Sequence, residues 1–305
     1  MNMKKTTELI MKNWHYLLYF AVVILFMLIT QLHVSTLIYM KQTIALLPAV
    51  MGQLILCSLG YTDISSGGIV ALFSGIIAIF VINMQLPIWL SIVLTLLLAM
   101  IIGMLKGYFA WKISFPFEIF TFALKAILAA VSSLIYYWIT EKHKGSFVVL
   151  SSNNSIYLIL LLSTLIFAWW YFNRTTYGRS TFIIGEVPSL AKKSGMNRGK
   201  IIIVASIIAS VMMSMTSLCL IHRTIIPNLF DSNTLTYQMI TAATICGRNT
   251  LNPRNIVFRS LLATSELVLL EAIIQLLGLS SSGVLSIFGI IILSTLYLDR
   301  SHQRT

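Results

Sequence analysis

The sequence is short of charge. Only 10% of its 305 residues are Asp, Glu, Lys or Arg, and 9 of them are acidic. A water-soluble domain carries about 25% charged residues, so too little polar surface exists here for an exterior that faces water. Cysteine is scarce as well. Cys57, Cys219 and Cys246 lie in or near apolar stretches with no pairing pattern, which argues against a disulfide framework. The histidines (His15, His33, His143, His222, His302) are scattered, with no H-E-x-x-H or Cys-His spacing that would hold a metal. A P-loop is missing too: Ser194-Gly-Met-Asn-Arg-Gly-Lys-Ile201 lacks the first glycine and the Ser or Thr after the lysine. No nucleotide site of that kind is expected.

What the chain has is apolar length. Hydrophobic residues make up 58% of it, and the mean hydropathy is +0.90. A bilayer core takes about 20 apolar residues per helix, and the runs here are continuous where barrel strands would alternate. The expected fold is all-α, a polytopic transmembrane helical bundle. About ten membrane segments emerge, one of them short or re-entrant: Tyr16–Leu32, Ser35–Ser58, a third following the polar patch Gly60–Gly68 to Ile82, Leu86–Trp111, Phe117–Ile139, Ile156–Phe172, Ile201–Ile221, the short Leu235–Cys246, Ile256–Leu277 and Val284–Leu298. Gly103-x-x-x-Gly107 in the fourth lets helices approach closely. Trp14, Trp89, Trp111 and Trp138 fall near span ends, where an interfacial belt puts them.

The net charge of +12 sits in short loops and at the ends. No soluble domain exists to carry a basic face, so nucleic acid is not an expected partner; anionic lipid headgroups are. Lys4, Lys5 and Lys12 precede the first apolar run without a small-residue cleavage site, which reads as an uncleaved span. Because Lys and Arg resist translocation, these lysines go inside. Alternation then brings Asn173–Lys200, the arginines around residue 254, and Arg300 with Arg304 inside as well. Both termini are expected in the cytoplasm, with residues 1–305 forming a single transmembrane domain. Lys142 with Lys144, and His222 with Arg223, fall on the far side.

The loop at about 173–200 is the longest polar piece. It carries Arg174, Arg179, Lys192, Lys193, Arg198 and Lys200 against one acid, Glu186. Within it Pro188 suits a first helical position and Gly195 a C-terminal cap, so a short helix is expected between them.

Three stretches together resemble the membrane permease subunits of ABC importers, in the ribose, galactose and autoinducer-2 branch of the binding-protein-dependent, branched-chain-amino-acid-related group. Gly60, Asp63, Ser65 and Gly67 match a G-G-I-D-L-S-V-G patch. Thr176-Tyr-Gly-Arg179 through Ala191-Lys-Lys-Ser-Gly-Met196 is similar to the coupling-helix region. Leu276-Leu-Gly-Leu-Ser280, followed by a span ending Leu298-Asp299-Arg300, is similar to the C-terminal end. The resemblance implies a permease in the cell (inner or plasma) membrane that moves a small polar solute, a sugar or sugar-like molecule, by alternating access. It implies no cofactor on this chain, with ATP and Mg on separate cytoplasmic ATP-binding subunits. The implied partners are those subunits, a second permease subunit, an extracytoplasmic solute-binding protein and the lipid bilayer. Departures at Val187, at Ala129-Ala130 and in Cys246–Asn255, where only Gly247 keeps a glycine-rich loop, point to one half of a heterodimer more than to a homodimer. Other classes remain open: an ion-coupled secondary transporter, for which broken helices and acids at Asp63 and Glu271 would serve, and an integral-membrane enzyme.

By the same resemblance, Glu186, Val187, Pro188, Ser189, Leu190, Ala191, Lys192 and Lys193 are the ATPase-coupling residues, as opposed to a merely solvated loop. Asp63 and Ser65 are candidates for the translocation path, although with Ser66 they could instead cap the third segment. Glu271 and Gln275 lie four apart on one helix face and stand where sugar permeases carry asparagines. They could line the path, hydrogen-bond between helices or, for Glu271, pair with Lys125. Lys106 and Glu118 are expected to pair near the membrane surface.

Overall fold

The computed structural model describes residues 21–24, 26, 36–112, 116–142, 154–223, 232–246 and 255–302, and among these every regular element is helical. In chain order they are α1 (Thr36–Ser58), α2 (Ser66–Ala78, prolonged by a π-helical turn Ile79–Asn83), α3 (Ile88–Lys112), α4 (Phe117–Lys142), α5 (Asn154–Arg174), α6 (Thr176–Glu186), α7 (Pro188–Lys193), α8 (Arg198–Arg223), α9 (Ser232–Ile245), α10 (Ile256–Leu276) and α11 (Ser281–His302). Most of the first expected segment, the N-terminal lysines, Lys144 and Gly247–Arg254 lie outside the described residues.

Five helices, namely α1, α2 with its π turn, α3, α4 and α8, are long and apolar enough to cross a bilayer. The α5–α6 pair, bent by 67°, makes a sixth if it is one span. The chain is a polytopic helical membrane protein. Among the described residues, which hold little of the first expected segment, the count falls below ten for identifiable reasons. Helix α10 has the length but carries Arg259, Glu266 and Glu271; α9 has 14 residues; and the apolar part of α11 is only Ser282–Thr295.

The layering is the reverse of a soluble core. The most apolar span, α3, turns most of its surface outward, as does α4, whereas the more polar α1 is mostly buried. Lipid is as apolar as leucine, so nothing drives the oiliest helix inward; polar groups go inside, where other helices satisfy them. Helix α1 is accordingly the hub, packing on α5, α6, α8, α9 and α10.

Small residues set the closest contacts. A Cβ built on Gly103 would lie 2.6 Å from the Ile207 Cα, and one on Gly107 2.6 Å from the Ile203 Cα. The Gly-x-x-x-Gly of α3 therefore seats α8 antiparallel against it. Gly52 of α1 meets Ala209 and Met212 of α8 in the same way, while Gly68 and Gly75 of α2 meet Leu128 and Ile135 of a parallel α4. Pro48 stands inside α1, where it removes one backbone donor and disturbs the ladder around it. The Ala49 N–H next to it donates instead to Thr216 Oγ1 of α8 at 3.0 Å, the kind of side-chain repair that lets membrane helices tolerate proline.

Candidate functional site

Three groups of residues carry the chemistry, and short helices join them. The first is the polar patch after α1. Gly60 adopts φ 88° at the helix end, and the Tyr61 N–H closes back on the Leu56 carbonyl at 3.0 Å, a glycine-ended cap. The chain then re-enters the protein. Gln53 of α1, wholly buried, holds the Asp63 backbone with its amide, accepting from the N–H at 3.1 Å and donating to the carbonyl at 3.3 Å, with oxygen and nitrogen assigned from that network. Asp63 Oδ1 accepts from the Ser65 N–H at 2.8 Å and the Ser65 hydroxyl at 2.6 Å, while Oδ2 forms an ion pair with Lys106 of α3. Neither partner of that pair reaches the surface.

The expected pairing of Lys106 with Glu118 is thus replaced. Lys106 points into the bundle, where Asp63 answers it. The patch is tied down on two further sides. The Ile64 N–H donates to Thr121 Oγ1 of α4 at 3.2 Å, and the Gly67 N–H to Thr236 Oγ1 of α9 at 3.1 Å. A Cβ on Gly67 would lie 2.0 Å from the Ser232 carbonyl oxygen, so α2 and α9 touch backbone to backbone. Asp63 performs the turn that leads into α2; Ser65 makes no side-chain cap of its own.

The second group is centred on Glu271 of α10, which is buried. Its Oε2 accepts from Gln42 of α1 at 3.1 Å and from Gln238 of α9; Oε1 accepts from Gln275 at 3.3 Å. Gln275 itself is exposed. The two acids foreseen in sequence therefore fall in separate clusters, and α9 spans the gap: Thr236 reaches the Asp63 patch and, two residues on, Gln238 reaches Glu271. Sequence reading did not assign a role to this short helix. Its polar residues at positions 236 and 238 were the available signal. Lys125 instead faces the Tyr237 ring, its ammonium 5.7 Å from the centroid.

The third group is the loop between α5 and α8. It holds two helices where one was foreseen. Helix α6 is capped by Thr175, whose Oγ1 accepts from the Gly178 N–H at 2.9 Å. It buries Gly178, Thr181, Phe182 and Ile184. Pro188 opens α7 as its first residue, and Gly195, at φ 67°, ends that turn with the Met196 N–H on the Ala191 carbonyl.

Val187 between the helices (44% exposed) and Leu190 of α7 (49%) present apolar surface beside exposed Ser189 and Lys193, while Ala191 is the buried anchor. Glu186 closes α6. Burial pushes its carboxyl above the usual range, and its Oε1 has no hydrogen-bond partner among the described residues. One residue earlier, a Cβ on Gly185 would lie 2.1 Å from the Ser58 carbonyl oxygen. The loop therefore presses directly on the end of the hub helix.

Among the described residues no cluster of His, Cys, Asp or Glu could hold a metal ion. A family model described as branched-chain amino acid transport system / permease component matches residues 35–297, well over half of the chain. Neither a curated protein nor a solved structure matches it.

Proposed function

Since the chain belongs to the branched-chain amino acid transport system / permease component family, we propose that it is the permease half of an importer that carries a small polar, sugar-like solute inward by alternating access. As a permease component it is a multi-pass membrane protein and not itself an enzyme. The ATP and Mg of the cycle belong to separate cytoplasmic subunits, and the coupling surface is Glu186–Lys193. Domain 1–305 works as one unit with a second permease chain, preferentially a different one, and receives solute from an extracytoplasmic binding protein. Both termini and the α6–α7 loop lie in the cytoplasm.

The observation that carries this reading is the contact of Gly185 with Ser58. A push on α7 reaches α6, and from α6 the C-terminal carbonyls of α1, without an intervening side chain to absorb it. Rigid elements in backbone contact transmit a displacement as a rigid-body shift. Support for the orientation comes from helix direction. α1 and α3 both run antiparallel to α8, while α2 and α4 run parallel to each other, as alternating crossings require. On this reading Asp63 and Ser65 pin the bundle together, and Glu271 and Gln275 border the path where α9 meets α1 and α10.

The test is co-purification. The ATPase subunits are expected to stay with the wild-type chain and to be lost when Glu186–Lys193 is scrambled. Solute uptake by the reconstituted chain without any ATPase would sink the proposal.

A further inference from the structure

Lys125 lies eight residues beyond Phe117, the start of α4, which is about 12 Å of helix. In a helix that crosses the bilayer, that is within the hydrocarbon layer. A cation at such depth is costly unless protein, water or a ligand answers it. Lys125 is half-buried and lines a cavity of about 340 Å³ between α4 and the first turn of α9. Among the described residues it forms no ion pair; the face of Tyr237 is its partner. The ring can steady an ammonium, but it leaves the N–H donors unmatched.

The rest of the cavity fits an acceptor-rich guest. Phe122 and Ala129 supply apolar wall, and Ser133 and Asn233 supply polar groups. On the α9 side the cavity wall is Ser232 and Asn233, and the Ser232 carbonyl oxygen lies against Gly67 of α2. Ligand cavities begin at about 300 Å³, so the space suits one sugar-sized molecule.

We infer that this cavity binds the anionic group, phosphate or carboxylate, of a small solute, so that the cargo is acidic. Binding itself does not depend on the permease reading; its role in transport does. The experiment uses the full chain in phosphatidylcholine nanodiscs, titrated calorimetrically with ribose and with ribose 5-phosphate. Ribose 5-phosphate is expected to bind and ribose to bind far more weakly. Lys125→Met should weaken binding by about 10- to 100-fold, the loss of a charge-assisted hydrogen bond, while Lys125→Arg retains it. Ala129→Asp, which puts an internal carboxylate one turn from Lys125, should abolish it too.

Equal binding of both sugars, no binding of ribose 5-phosphate to the wild type, or undiminished binding by Lys125→Met and Ala129→Asp would each overturn the inference. A further arm adds phosphatidylglycerol to the discs without sugar. Lys125-dependent thermal stabilisation there, with none from ribose 5-phosphate, would assign the cavity to a lipid headgroup and also overturn it. ATPase co-purification of the same Lys125 variants separates the two readings. It should be unaffected by these substitutions, and its failure with the wild type would count against the permease reading alone.

Discussion

Lys106→Met takes the ammonium from a pair whose two members are both shielded from solvent. The Asp63 carboxylate would stay where it is, because Gln53 clasps its backbone and Ser65 donates to Oδ1 twice. It would become a buried charge with two hydrogen bonds and no counter-ion, and breaking a buried pair in this way costs about 3–5 kcal/mol. Asp63→Asn leaves the complementary problem, an ammonium without its acid, at a similar cost. The asparagine Oδ1 can still accept from Ser65, so the turn into α2 survives. Combining the two changes removes both charges and keeps both Ser65 bonds. The double variant should therefore lose about 1–2 kcal/mol, far less than the sum, because removing a whole buried pair is often close to neutral.

A double-mutant cycle on the full chain measures this, using reversible unfolding in mixed detergent micelles followed by circular dichroism. Variants of a coupled pair depart from additivity, whereas independent sites add to within about 0.5 kcal/mol. If the double variant loses the sum of the two single losses within that margin, the pair does not hold α2 to α3. The account of the patch as the fastening of five helices then falls with it.

Three other outcomes follow from particular contacts. Gly185→Ala should cost about 1–3 kcal/mol by overpacking against the Ser58 carbonyl, and should leave the ATPase bound but its hydrolysis no longer responsive to solute delivery. Normal responsiveness would remove the Gly185 contact from the coupling route. Thr216→Val orphans the Ala49 N–H beside Pro48, at about 1–3 kcal/mol. In a Pro48→Ala background, where α1 can close its own ladder, the same change should cost clearly less, and equal costs in both backgrounds would refute the repair. Burial raises the Glu186 carboxyl in the folded chain, so the folded state binds its proton more tightly than the unfolded chain does. The stability this confers is present at acid pH and lost as pH rises through the raised value. Relative to Glu186→Gln, the wild type should therefore melt lower as pH rises above the ordinary carboxylate range, and parallel melting curves would show that Glu186 is not desolvated.

Much of the architecture was legible because a bilayer imposes a length on every span. Helices α3, α4 and α8 fall within a few residues of the boundaries expected from hydropathy, and the Gly103–Gly107 spacing foretold a close approach, though not that α8 would fill it. Helix α6 was missed since its polar residues and its place in a basic loop resemble those of a solvated segment. Its signal was local, Thr175 ahead of a turn and Phe182 and Ile184 on one side. The partners of the buried polar groups were hidden for a different reason. Lys106 lies 43 residues from Asp63, and Gln42 lies 229 from Glu271. Pairing over such separations depends on which helices become neighbours, and hydropathy does not encode that.

The same physics explains why the polar residues, and not the apolar ones, locate the working parts. In a soluble protein an apolar face identifies the core, because water drives it there. Here lipid accepts leucine as readily as another helix does, so the exposed apolar surfaces of α3 and α4 are silent about their neighbours. Each buried polar side chain, in contrast, must find a partner or be left at a cost. Gln53 and Lys106 both answer Asp63, Thr236 takes the Gly67 N–H, and Gln42 and Gln238 answer Glu271. Lys125 finds only an aromatic face and a cavity. By that reasoning a cation with no acid partner among the described residues, set beside a cavity, is one that a solute is placed to satisfy.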